Sequence, residues 1–216
     1  MKRLTLSFDN GPTEGTAAVL DALAQRAIKT SFFLVGKQLR APGARALAER
    51  AKAEGHWIGN HTLSHDVPLG HSDAPPGHHL PEIEEMDALL DGLNEEVPLF
   101  RPYAGKGILG PHVFTPESLA YLCRTRHSVV LWNSVPRDWE QPPGAWVARA
   151  LADIEAQDWT AVVLHDKPNE AMKHLPAFLD TVLANGIAIR QDFPPDCLPI
   201  VAGESRWDMS GFLKKI

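Results

Sequence analysis

The chain has 216 residues, 44% of them apolar and 22% charged, and its 21 lysines and arginines against 27 aspartates and glutamates give a net charge of −6. That length fits one domain or at most two, and the composition excludes a disordered chain. The acidic balance lacks the basic footprint that nucleic acids require, and no apolar run approaches the ~18–20 residues of a membrane span, so neither is expected as a partner. Cys123 and Cys197 fit no zinc or redox spacing and read as structural thiols. Polar residues enter the stretch Met1–Phe8 too early for a signal-peptide core, so a cytoplasmic location is expected.

In chain order, Arg3–Phe8 alternates and ends at Asp9-Asn10-Gly11-Pro12, which predicts a strand running into a turn. Ala, Val and Leu at helical spacing predict a helix over Thr16–Ala27. Thr30–Val35 reads as a strand closed by Gly36, Gly43–Ala53 as a helix, and His56–Asn60 as a short strand. Pro81–Leu93 reads as an acidic helix with Ile83, Met86, Leu89 and Leu90 on one face. Leu99–Arg101 and Ser128–Trp132 are predicted strands on either side of a helix over Pro116–Cys123. A helix over Ala145–Ala156, a strand over Trp159–Leu164, a helix over Glu170–Ala184 capped at Gly186, and a strand over Ile187–Arg190 complete the pattern. From Phe193 onward no period is visible, and this tail is expected to wrap the outside. About seven strands alternating with helices predict parallel strands, hence an α/β barrel or a doubly wound sheet. A regular eight-fold barrel takes ~250 residues, so a barrel here would be short and irregular. No linker divides the chain, so residues 1–216 are expected to form a single domain.

In parallel α/β folds ligands bind at the C-terminal ends of strands. Asp9-Asn10, His61 to His65, Arg101, Asp138-Trp139 and His165-Asp166 all follow predicted strands, which points to one shared site. His61 and His65 would share a helix face and suit two ligands of one metal, although two surface histidines have the same spacing. His71, His78 and His79 fall in a Pro/Gly-rich loop and read as solvated or loop-packing. Trp57, Trp132, Trp139 and Trp146 suit either sugar stacking or the core.

Taken in order, these segments resemble the polysaccharide deacetylase (NodB-homology) family. Ser7-Phe8-Asp9-Asn10-Gly11-Pro12 is similar to its Thr-Phe-Asp-Asp-Gly-Pro opening, and His61–His65 to its His-[Ser/Thr]-x-x-His metal motif. Phe100-Arg101-Pro102 resembles the start of its Arg-Pro-Pro-Tyr-Gly loop, Asp138-Trp139 the end of Asp-x-x-Asp-Trp, and Val163-Leu164-His165-Asp166 the Leu-x-His segment. The resemblance implies a distorted (β/α) barrel of seven or eight strands that hydrolyses amide bonds of N-acetylated sugars with one divalent metal, zinc by default, with cobalt or nickel as alternatives.

It further implies Asp9 as general base, Arg101 orienting it, His165 as general acid and Asp138 as its partner. His61, His65 and the residue at position 10 would hold the metal. Tyr103 or Ala104 would supply the oxyanion N–H, and Trp139 would face the substrate. Three positions depart from the family pattern. Asn10 stands where the metal-binding aspartate is expected, Arg101-Pro102-Tyr103-Ala104-Gly105 replaces the third motif, and Val135 replaces the first Asp of the fourth. Asn10 keeps a second reading open, a non-catalytic carbohydrate-binding relative with a decayed metal site. Another small amide or a cyclic imide is an alternative substrate.

Overall fold

The computed structural model describes residues 1–214. Its first strand, β1 (Arg3–Gly11), is buried from Leu4 onward on both faces, as expected of a central parallel strand. Successive side chains alternate. Leu4, Leu6 and Phe8 belong to the largest apolar core, whereas Thr5 and Ser7 satisfy their hydroxyls on backbone carbonyls of Asp192 and Val162. That polar row ends at Asp9.

Six further parallel strands surround β1: β2 (Ser31–Leu34), β3 (Trp57–Asn60), β4 (Leu99–Phe100), β5 (Ser128–Val129), β6 (Trp159–His165) and β7 (Ala188–Arg190). The ladder runs β6-β1-β2-β3-β4-β5, and β7 pairs with Arg3–Thr5 of β1. Beyond β5 the chain swings back to β6, where Ser134 bridges Val162 and the Asn133 side chain accepts the Ala161 N–H at 2.7 Å. One side-chain amide and one bridge thus stand in for a ladder and complete the distorted barrel.

Helices α1 (Thr16–Ala24), α2 (Gly36–Leu39), α3 (Ala44–Ala53), α4 (Met86–Leu89), α5 (Pro116–Arg124), α6 (Ala145–Ala156) and α7 (Leu175–Ala184) fill the crossovers. Gly186, at φ 67°, stands just beyond α7 as the left-handed terminator. No helix among the described residues is long and apolar enough to cross a membrane.

Several boundaries differ from expectation. The acidic helix begins as a π-helix over Leu80–Glu85, yields only one α turn as α4, and stops short of left-handed Gly92; its apolar face still buries Ile83, Met86 and Leu90. Glu170–His174 is a 3-10 turn ahead of α7 and not part of it. The strands at 99 and 128 are two residues each, because the chain turns inward there to deliver Arg101 and to close the barrel.

The tail does more than wrap. β8 (Ile200–Val201) and β9 (Glu204–Ser205) form an antiparallel hairpin on β5, and Phe193, Cys197 and Ile200 are buried. Ala202 and Gly203 both take positive φ, as a two-residue hairpin loop requires. Two-residue strands are too short to show a period.

Candidate active site

Asp9, only 3% exposed, ends the polar row of β1. Burying a lone carboxylate costs several kcal/mol unless it is paired (roughly). The partner is Arg101, delivered from the end of β4 and fully buried. Its Nη1 donates to Asp9 Oδ1 at 2.7 Å and to Ser7 Oγ at 2.6 Å, and its Nε donates to the Val130 carbonyl at 3.2 Å. The guanidinium lies over the Phe33 ring, 3.9 Å from its centroid. Ser7 was not singled out from the sequence; its period-two offset from Asp9 is the signal that puts both on one face.

The β1–β6 register makes Asp9 and His165 cross-strand partners. His165 Nδ1 lies 2.8 Å from Asp138 Oδ1, and the other Asp138 oxygen accepts the His165 backbone N–H at 2.9 Å. A carboxylate can only accept, so Nδ1 carries the proton and Nε2 is left without a partner among the described residues. Burial works to lower the His165 pKa, but the Asp138 hydrogen bond and charge outweigh it, helped by Asp9, and raise it above the ordinary histidine value. Trp139 meets the His165 ring edge-on at 5.2 Å and is 39% exposed.

His61 and His65 do not share a helix face. The segment is a loop with Thr62 and His65 at φ 70° and 58°. It is held by the Asn60 side chain, which accepts the Thr62 N–H at 2.8 Å, and by Glu82, which accepts that of Ser64 at 3.0 Å. The loop nevertheless brings the two imidazoles to 4.8 Å between centroids. His61 Nδ1 donates to the Arg101 carbonyl at 2.8 Å, which leaves the lone pair on Nε2, 3.6 Å from Asp9 Oδ2. Burial pushes the His61 pKa down; burial, with His61 and His165 adding, pushes His65 to about 2. Both rings are therefore neutral at physiological pH, the form that binds metals.

Asn10 sits beside Asp9 at φ 73°, a left-handed conformation that Asn tolerates better than most residues. Its Oδ1 is buried without any hydrogen-bond partner among the described residues. An orphaned buried acceptor costs ~1–3 kcal/mol, so it calls for a missing partner. Two neutral imidazoles and a naked amide oxygen fit a divalent cation with an open coordination position. The third donor carries no charge, and no cluster of three His, Cys, Asp or Glu with metal-holding geometry exists among the described residues.

These groups line one cleft of about 200 Å³, together with Tyr103, Ala104, Trp132, Val135 and Lys167. Arg101 and Asp138 lie behind the wall. The N–H groups of Tyr103 and Ala104 donate to no described residue, and both residues line the cleft, so the geometry does not choose between them. Of the other tryptophans, Trp146 is fully buried and Trp57 packs against Phe193. His78 bonds the Val67 carbonyl and His79 packs edge-on against Tyr121, both away from the cleft.

Asp166 is buried behind the site. Its carboxylate accepts from Thr16 Oγ1, and it crowds Gly11 so closely that a Cβ there would come within 2.2 Å of Oδ2. Burial raises its pKa to about 6, with the Asp9 charge adding and the Thr16 hydrogen bond opposing.

The strand ends of this parallel barrel thus bring together an arginine-held carboxylate, a carboxylate-held imidazole, two further imidazoles and an unpartnered amide oxygen. A profile of the polysaccharide deacetylase family matches residues 1–108. The chain is 31% identical to a peptidoglycan-N-acetylglucosamine deacetylase of Bacillus cereus, over 82% of this chain and 78% of that protein. It is 29% identical to a chitooligosaccharide deacetylase of Sinorhizobium fredii, over 83% and 80%. A family 4 acetyl xylan esterase from Clostridium thermocellum, solved with a cobalt ion, superposes with a TM-score of 0.69 at 23% identity, over 88% of each chain. The chain belongs to the polysaccharide deacetylase family.

Proposed function

We propose that the protein is a metal-dependent deacetylase of N-acetylated sugars or oligosaccharides, and that Asp9 and His165 divide the proton transfers. The observation that carries this reading is the register that sets them side by side on β1 and β6, each held by its own buried partner. Asn10, His61 and His65 would hold a divalent cation, with zinc the first expectation for such donors and cobalt or nickel as alternatives. Such a cation polarises the amide carbonyl and acidifies water beside it.

The residues do the rest. Asp9, fixed by Arg101 and Ser7, takes the proton of the attacking water as its oxygen bonds the acetyl carbon. The N–H of Tyr103 or Ala104, neither of which donates to a described residue, would receive the developing oxyanion. His165 Nε2 gives its proton to the departing nitrogen as the C–N bond breaks, and Asp138 stabilises the imidazolium before that transfer. The products are acetate and the free amine. Trp139 offers an exposed aromatic edge at the cleft mouth for a sugar ring.

The test is acetate release from chito-oligosaccharides by protein reconstituted with zinc, cobalt or nickel. Release that depends on metal and on Asp9 supports the reading; no release with any metal counts against it. Asn10 favours a second reading, a sugar-binding relative whose metal site has lost its carboxylate. That reading expects sugar binding by calorimetry with neither metal uptake nor turnover.

A further inference from the structure

The loop between the two imidazoles holds Thr62 and His65 in left-handed backbone, at φ 70° and 58°. A β-branched residue in that region is a genuine outlier, and it persists only where its surroundings over-determine it. Most of what does so comes from outside the loop. The Gly36 and Lys37 N–H groups donate to the Thr62 and Leu63 carbonyls at 3.1 and 2.7 Å. The rest comes from the helical segment 80–89.

That segment opens as a π-helix over Leu80–Glu85, and the wide turn lets it reach the loop at two points. Glu82 and Asp87 are five residues apart, about 1.4 turns of an α-helix, which would set them on different faces. A π turn closes over five residues and brings them back toward one face. Glu82, 4% exposed, accepts the Ser64 N–H at 3.0 Å. Asp87 Oδ1 accepts from Asn60 Nδ2 at 2.8 Å, and the same amide nitrogen donates to the Ile83 carbonyl at 3.0 Å. Asn60 Oδ1 takes the Thr62 N–H, so every polar atom of this amide is engaged and its orientation is fixed.

Asp87 is itself braced. Its Oδ2 lies 3.1 Å from His127 Nε2, and His127 Nδ1 lies 2.8 Å from Thr125 Oγ1. The His127 ring is buried edge-on against Phe100. A chain of side chains thus runs from the start of β5 through α4 to the end of β3 and into the histidine loop. Asn60, Glu82, Asp87 and His127 do not line the cleft. Replacing a buried carboxylate–imidazole pair by apolar residues is often neutral or stabilising, so stability alone does not account for this one.

Resting on the deacetylase reading, we infer that Asp87 and His127 are positioning residues of the metal site. They fix the Asn60 amide, Asn60 fixes Thr62, and the strained loop so held brings the His61 and His65 imidazoles to 4.8 Å between centroids. Glu82 is the second anchor of the same loop and reaches it directly.

Amide hydrogen exchange on the metal-free full chain, read by NMR, tests the anchor, and zinc titration by calorimetry tests its consequence. Asp87→Ala is expected to cost the Thr62 N–H its protection while the amides of β1 and β6 keep native rates. Its zinc affinity should fall about 10–100-fold, the usual cost of losing a partner behind a metal ligand. Asp87→Asn keeps an acceptor oxygen for Asn60 and should recover both, which a mere loss of packing does not predict. Should Asp87→Ala not fold, His127→Leu, of similar volume, leaves Asp87 unbraced and carries the same expectation. Native protection of Thr62 in these variants overturns the inference, as does lost protection with unchanged zinc affinity. A native chain that takes up no zinc, cobalt or nickel and releases no acetate refutes the deacetylase reading. Exchange at Thr62 then decides the anchor by itself.

Discussion

The two halves of the cleft are finished to different degrees. On the acid side, both oxygens of Asp138 are used on His165, one on the ring and one on the backbone, and the unpartnered atom nearby among the described residues is Oδ1 of buried Asp166, whose proton-bearing form burial favours. On the other side, His61 has an open Nε2, His65 is pressed to a pKa of about 2, and Asn10 Oδ1 bonds nothing among the described residues. A satisfied network is rigid by itself; an unsatisfied buried one is complete only with a ligand. Under the proposed function, the first half would act as preformed protein chemistry and the second would take the cation.

The largest expected effect breaks the symmetry of the proton transfers. Asp9→Asn and His165→Ala should each lower kcat by about 10²–10⁴-fold, the usual worth of a general base or acid, and the double variant should lose far less than the product. Wild-type turnover in either single variant overturns the assignment. In the native enzyme the acid must be protonated, and its raised pKa keeps it so to higher pH. The alkaline limb of kcat should therefore lie above the ordinary histidine range, as a pH–rate profile reads directly.

Next comes Asp166, which packs where the two halves meet. Its folded pKa of about 6 exceeds the ordinary 3.8, so its contribution to stability is present below about pH 4 and is lost as pH rises through 6. A shift of that size corresponds to on the order of 3 kcal/mol. In metal-free protein, Asp166→Asn should remove this dependence and gain on the native chain between pH 4 and 7. Parallel urea curves for both proteins across that range would contradict it.

Asn10→Asp sharpens the comparison from the other side by restoring a ligand charge. Losing even a supporting partner of a metal ligand costs roughly 10–100-fold, so the variant should bind zinc at least tenfold tighter in isothermal titration. No gain means that position 10 is not a ligand, and the sugar-binding reading then leads. The smallest effect is expected at Trp139. An aromatic contact is worth ~0.5–1.5 kcal/mol, so Trp139→Ala should raise KM a few-fold with little change in kcat. A fall in kcat alone would mean that the ring serves His165 and not the sugar.

Much of this was legible because β1 and β6 are long enough to show a pattern. Nine residues of β1 display the alternation that ends at Asp9, and seven of β6 deliver His165. The strands at 99, 128, 200 and 204 have two residues each, and no periodicity survives at that length. The histidine spacing suggested a helix for a similar reason. Separation in sequence is the same in a helix and a loop, and it is contacts from elsewhere, the Asn60 and Glu82 side chains and the Gly36 and Lys37 N–H groups, that hold this segment in the latter.

The sequence by itself determined which chemical groups stand after which strands, and the order of motifs that marks the family. It also set the two carboxylates missing from the family pattern, at Asn10 and Val135. Only the tertiary structure decided that Ser7 shares Arg101 with Asp9 and that Asn10 Oδ1 lacks a partner among the described residues. The physical reason is that local pattern follows from the chain's own backbone geometry. Whether a polar atom is satisfied depends on residues brought from far along the chain, 94 positions away for Ser7 and Arg101 and 187 for Thr5 and Asp192.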